Sequence, residues 1–186
     1  MEKTAKMDFL LRDKENERLV FRFYPKKSRC YSYGKKPPKN WDDVSEVCYS
    51  YAILRQTRLR EGERWSTEKV FADEDDEFSV IYSVGTICTL LAKGRRYNKC
   101  DGKKYSLLNE WITPLGMGTE WKIKKHEWED WCEKEGDFKK YIFFEFVLFS
   151  YWDRGFRFSI EKEKMKPFGE FLISCCEYML AHGDPR

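Results

Sequence analysis

The stretch Tyr141–Trp152 constrains the fold more than any other. Its even positions Ile142, Phe144, Phe146, Leu148 and Trp152 are apolar, and only Ser150 interrupts them. A period of two marks a strand with one face in the core. The odd positions set Glu145 among Phe143, Val147 and Phe149, so the second face is half-buried. Asp153-Arg154-Gly155 then supplies turn chemistry, with glycine where a positive φ is needed. Phe156, Phe158 and Ile160 align on a returning strand. Met165, Phe168, Leu172, Cys175, Cys176 and Met179 follow at helical spacing, with Pro167 in the first turn and Gly183 as the stop. The chain therefore ends in a strand-strand-helix unit.

The rest of the chain is read by the same rules. Met7–Arg12 and Arg18–Tyr24 form a hairpin around a charged turn, and Leu19, Phe21 and Phe23 share one face. Asn40 caps a helix over Trp41–Arg58, with Val44, Val47, Cys48, Tyr51 and Leu54 on its stripe. Trp65–Phe71 reads as a strand and Asp73–Glu77 as an acidic loop. Phe78–Lys93 reads as a helix stopped by Gly94, although its β-branched residues also suit a strand. Tyr105–Ile112 is one short element stopped by Pro114, and His126–Glu135 a short helix closed by Gly136. No internal repeat and no linker is legible. The expectation is a single α+β domain over residues 1–186. It has a mostly antiparallel sheet built from hairpins, with helices packed on one face.

Composition enters where the core must be filled. The chain has 186 residues, and 14 Phe, 11 Tyr and 7 Trp make rings the main core material. Disordered chains are poor in such residues. The net charge of +3 hides a sequence of blocks. Residues 1–60 carry 15 basic and 8 acidic groups, and residues 61–77 carry 2 and 8. Such blocks create local fields that the total conceals. No apolar run approaches the roughly 20 residues of a membrane span. The charged first 18 residues leave no room for a signal peptide. The 7 cysteines are irregularly spaced and odd in number, which suits small buried hydrophobes in a reducing compartment. A cytoplasmic protein without membrane contact is expected.

The chemistry-bearing motifs are sparse. His126 and His182 lack Ser or Cys partners at a recognisable spacing, and there is no Cys-x-x-Cys pair. Gly116-Met117-Gly118 begins like a dinucleotide loop but places Trp121 where the third glycine belongs. No catalytic residue, metal ligand or cofactor is assigned. Three contact regions remain. The loop 26–39 holds Lys26, Lys27, Arg29, Lys35 and Lys36 with Tyr31 and Tyr33 among them, a mixture that neutralises phosphates and stacks on bases. The run Asp73, Glu74, Asp75 and Asp76 suits a basic partner, or is simply a solvated loop. Trp121 and Trp128 stand in charged surroundings together with Trp131, the makeup of a binding hot spot. The competing reading is a helix that packs its Trp face on the sheet.

In general makeup the chain is similar to toxin-neutralising immunity proteins and phage-encoded inhibitors, with no shared motif behind the likeness. It implies a soluble, non-enzymatic protein-binding module, an inhibitor acting by stoichiometric complex formation with a protein partner. The alternative is RNA or DNA binding through the basic stretches 26–39 and 93–104. A second alternative is a metal-dependent enzyme built on the acidic run.

Overall fold

The computed structural model describes residues 7–24, 29–31, 46–94, 105–108, 111–114, 119–149 and 155–182. Strands β1 (Met7–Lys14) and β2 (Glu17–Phe23) form the first hairpin, as the alternation at Leu19, Phe21 and Phe23 requires. Short β3 (Arg29–Tyr31) pairs with the start of β4 (Glu46–Thr57), and β2 pairs with the rest of it. β5 (Ser66–Glu77) lies on the other edge of β4 and runs directly into α1 (Phe78–Ala92). The second sheet has the order β10-β9-β8-β7-β6. Its strands are β6 (Tyr105–Leu108), β7 (Trp111–Pro114), β8 (Glu120–Cys132), β9 (Asp137–Phe149) and β10 (Phe156–Glu161). α2 (Lys162–His182) completes the strand-strand-helix ending. All pairings are antiparallel, and the class is α+β.

Two helices expected from the sequence are strands. The expected helix 41–58 is corrected over Glu46–Thr57, which is β4. Tyr51 and Ile53 face the main core, while Ala52 and Leu54 join Val20 in a second cluster on the opposite face. A strand buried on both faces has apolar residues at every position, and these include a helical subset. The expected helix 126–135 is corrected to the end of β8 and a tight turn. Gly136 does not stop a helix: at φ 61° it closes the turn, donating its N–H to the Cys132 carbonyl at 2.9 Å. The acidic run Asp73–Glu77 is the end of β5 and not a loop, with Asp73 opposite Tyr51 and Asp76 opposite Tyr49. The single element expected at 105–112 is two strands. The expected helix at 78–93 is present as α1, and Gly94 follows it at φ 71°.

A repeat that the sequence conceals appears in the connectivity. Each half has a four-strand antiparallel run followed at once by a helix, β1-β2-β4-β5-α1 and β7-β8-β9-β10-α2. β5 and β10 end 84 residues apart, at Glu77 and Glu161. At that same offset Ile81 and Met165, Val84 and Phe168, Gly85 and Gly169, Cys88 and Leu172, and Leu91 and Cys175 are all buried. The helices cross at the two glycines. The last residue of α1 (Ala92), the Lys93 that follows it and the start of α2 (Lys162, Lys166) line one hollow, so the helices run antiparallel.

The main core lies between this helix pair and the inner faces of both sheets. Its rings connect the halves. Trp121 of β8 sits 6.4 Å from Phe21 and 6.0 Å from Tyr51, and Phe168 of α2 sits 5.8 Å from both Phe21 and Phe146. Cys88, Cys175 and Cys176 are free thiols buried in it, the role expected of cysteine here. A bulge at Leu10–Arg12 in β1 turns two carbonyls towards α2, and Lys164 Nζ donates to Leu10 O and Leu11 O at 3.4 Å each. Among the described residues no helix is long and apolar enough to cross a membrane.

Candidate functional site

β8 and β9 continue past their neighbours. β7 meets β8 at Ile112 opposite Ile123, and β10 reaches along β9 only to Phe143. From Glu127 opposite Ile142 to Cys132 opposite Asp137, the two strands pair only with each other among the described residues. Six cross-strand pairs at about 3.4 Å rise make a ribbon roughly 20 Å long.

Alternation assigns the ribbon two faces. Trp121, Ile123, Phe144, Phe146 and Leu148 at its root face the core. That same face, continued to the tip, carries Trp131 opposite Phe138, with ring centroids 5.3 Å apart and edge to face. These two rings lie beyond the core and are 54% and 64% exposed. The outer face carries His126 opposite Phe143 and Trp128 opposite Tyr141. His126 stacks on Phe143 at 4.6 Å, Trp128 stacks on Tyr141 at 5.4 Å, and Trp128 meets Phe143 edge-on at 5.3 Å. Trp128 is 45% exposed. Monomeric proteins scatter single apolar side chains over their surfaces, but contiguous rings on a projecting element mark contact sites.

Charge surrounds the rings. Residues 127–142 hold six acidic and three basic groups in a chain of net charge +3. Glu127 is ion-paired to Lys125 at 3.4 Å and also to Lys140, and Lys139 lies 5.8 Å above the Tyr141 ring. At the root, Glu145 is largely buried between Arg157 at 3.4 Å and His126 Nε2 at 3.6 Å. Among the described residues no group of three or more His, Cys, Asp or Glu side chains is placed to hold a metal ion.

The structure sorts the residues singled out from the sequence. Trp128 stands on the outer face of the ribbon and is exposed. Trp121 is corrected: it is fully buried, because its position in β8 points at Phe21 and Tyr51, and it offers no surface. Arg29 and Tyr31 lie on β3, and Asp73, Glu74, Asp75 and Asp76 on β5. Lys26, Lys27, Tyr33, Lys35 and Lys36 lie outside the described residues, as does 95–104 of the second basic stretch. Phe138 and Tyr141 were missed. Tyr141 falls in a run whose period reads as core, yet it is 37% exposed because the run outlasts the sheet. The signal was a mirror: Trp128-x-x-Trp131 and Phe138-x-x-Tyr141 are reflections about the turn, so each ring meets a ring.

Compared with known proteins, the chain matches no family profile, no curated protein and no solved structure.

Proposed function

We propose that this protein is a non-enzymatic protein-binding module that acts by stoichiometric complex formation, as an inhibitor does, and that the tip of the β8–β9 ribbon is its contact element. The observation that supports this reading is the exposed ring pair Trp131–Phe138 on a strand ladder anchored in the core. Aromatic residues dominate the binding energy of protein interfaces, and a rim of charge around them selects the partner. The carboxylates beside the rings favour a partner whose surface is basic and apolar.

The test is affinity capture from the native cell with the wild-type chain and with a Trp131→Ser/Phe138→Ser variant. The expected result is one protein recovered in stoichiometric amount with the wild type and lost with the variant, at unchanged circular dichroism. Recovery of chaperones and ribosomal proteins alone would overturn the reading. Salt-sensitive retention of mixed oligonucleotides by both chains would point instead to the basic stretches 26–39 and 93–104.

A further inference from the structure

The partner-binding reading leaves the buried carboxylate at the root of the ribbon without a task. β10 ends with Glu161 opposite Phe143, and Phe143 lies opposite His126 of β8. This row is the last in which β8, β9 and β10 stand side by side. The row before it sets Lys124, Glu145 and Ser159 in line. Glu145 thus sits where the sheet gives way to the ribbon. Arg157 Nη1 of β10 lies 3.4 Å from its Oε1, and His126 Nε2 of β8 lies 3.6 Å from its Oε2.

His126 Nε2 is shut off from water and makes no hydrogen bond. At 3.6 Å the carboxylate oxygen is just beyond hydrogen-bond reach. A neutral imidazole carries one N–H. With that proton on Nδ1, a lone pair faces the carboxylate; with it on Nε2, a buried donor goes unmet. Protonation gives both nitrogens an N–H and sets opposite charges face to face. An approach of a few tenths of an ångström then closes a charge-assisted hydrogen bond. The His126 ring also lies flat on Phe143, with centroids 4.6 Å apart and planes within 4°. A cation over a ring face is attracted to it, so Phe143 favours the charged form as well. Phe143 in turn touches Trp128, and Trp128 stacks on Tyr141, so a shift of the imidazole is felt along the outer face.

We propose that His126 is a proton-operated clasp at the root of the ribbon. Charged, it ties β8 to Glu145 of β9 and, through that carboxylate, to Arg157 of β10. Neutral, it leaves this corner to the backbone ladder and the ring stack. The charged and titratable groups that face it are Lys124 on its own strand, Glu145 and Tyr141 on β9, and Arg157 and Glu161 on β10. Lys124 and Arg157 oppose the charge, and Glu145 and Glu161 favour it. Glu145 is in contact and largely buried, where an opposite charge acts most strongly, so it outweighs the others. Imidazole exchanges its proton near neutrality. The stability that the clasp contributes is complete below the ordinary histidine value of about 6.5 and is lost as pH rises past it. None of these groups lies at the tip, so the inference stands apart from the partner-binding reading and needs no partner for its test.

Proton NMR and hydrogen exchange of the full chain test it. The chain has two histidines, His126 and His182, so the second serves as an internal control. Glu145→Gln should move the His126 titration midpoint to lower pH and leave that of His182 in place. The Trp128 indole signal should follow the His126 titration in the wild type. After correction for intrinsic rates, the amides of residues 126–128 and 141–143 should exchange roughly threefold to fivefold more slowly at pH 5.5 than at pH 7.5. His126→Phe keeps a ring on Phe143 and removes the proton, so its ribbon should lose that pH dependence. This variant carries the test without touching the buried carboxylate, should Glu145→Gln fail to fold. A His126 midpoint unmoved in folded Glu145→Gln would overturn the proposal. So would a wild-type ribbon equally protected at both pH values, or a pH dependence that survives in His126→Phe.

Discussion

Gly85 and Gly169 face each other backbone to backbone at the crossing of α1 and α2. A Cβ on Gly169 would lie 2.6 Å from the Gly85 carbonyl oxygen, and one on Gly85 would lie 2.9 Å from the Gly169 carbonyl oxygen. Neither obstacle is a side chain that can swing away. In an unconstrained helix interior, alanine is favoured over glycine by about 1 kcal/mol. Here overpacking opposes that gain, so Gly169→Ala should destabilise the protein by about 1–3 kcal/mol. Urea unfolding followed by circular dichroism gives the sign directly, and a more stable variant would refute the close approach.

The two halves share one core. The first sheet buries Phe21, Tyr51 and Phe71 against Trp121, Phe168 and α1, so neither half covers its own apolar face. Residues 1–94 and 95–186 made as separate chains in one cell should copurify on a tag carried by either. Each made alone should be insoluble or unfolded. Independent folding of either fragment would contradict the shared core.

Arg58 ties the loop after β4 to the turn between β1 and β2. Its Nε and Nη2 donate to the Glu15 carbonyl at 3.0 and 2.7 Å, and its guanidinium lies 4.3 Å from the Trp65 ring centre. Arg18 lies at the same distance from that ring. Arg58→Lys keeps the charge but loses the planar fork that makes both hydrogen bonds while stacking. It should cost about 1–2 kcal/mol in denaturant unfolding, nearly as much as Arg58→Ala. Full retention of stability by the lysine variant would show that charge alone suffices.

Burial pushes the Cys88 thiol well above its ordinary value of 9.0. The fold keeps this thiol protonated where the unfolded chain ionises it. The stability that follows is complete below the ordinary value and declines as pH rises above it, by up to about 1.4 kcal/mol per pH unit. Unfolding free energies between pH 8 and 10.5 should therefore fall more steeply for the wild type than for Cys88→Ala. In native protein at pH 8, a thiol reagent should modify the half-buried Cys132 before Cys88, Cys175 or Cys176.

Legibility in the sequence followed the number of faces each element buries. β2, β9, β10 and α2 each carry one dominant buried stripe, with a single buried residue on the other face of β2 (Val20) and of β9 (Val147), and their periods named them. β4 buries Tyr51 and Ile53 on one side and Ala52 and Leu54 on the other, so its period was erased and its spacing imitated a helix. The β8 tip failed for the opposite reason. Its rings answer to Phe138 and Tyr141 across the ribbon and not to a core, so no stripe along β8 alone describes them. The recurrence in connectivity was hidden because a strand run followed by a helix recurs with different residues. Its one shared identity among the matched helix positions is the glycine at the crossing. Trp121 and Trp128 looked alike in sequence, but seven residues along a strand put them on opposite faces, Trp121 in the core and Trp128 on the outer face of the ribbon.

The ribbon has no joint. β8 and β9 pair without a register break from Trp121 opposite Leu148 in the core to Cys132 opposite Asp137 at the turn. Its exposed rings are each held by a ring across the ladder before any partner arrives. Little rotational freedom is left for docking to remove, and the entropic penalty of association falls accordingly. On the proposed reading, encounter with the partner should therefore resemble the seating of a rigid wedge, limited by orientation and by the charge around the tip, with no folding step between contact and complex.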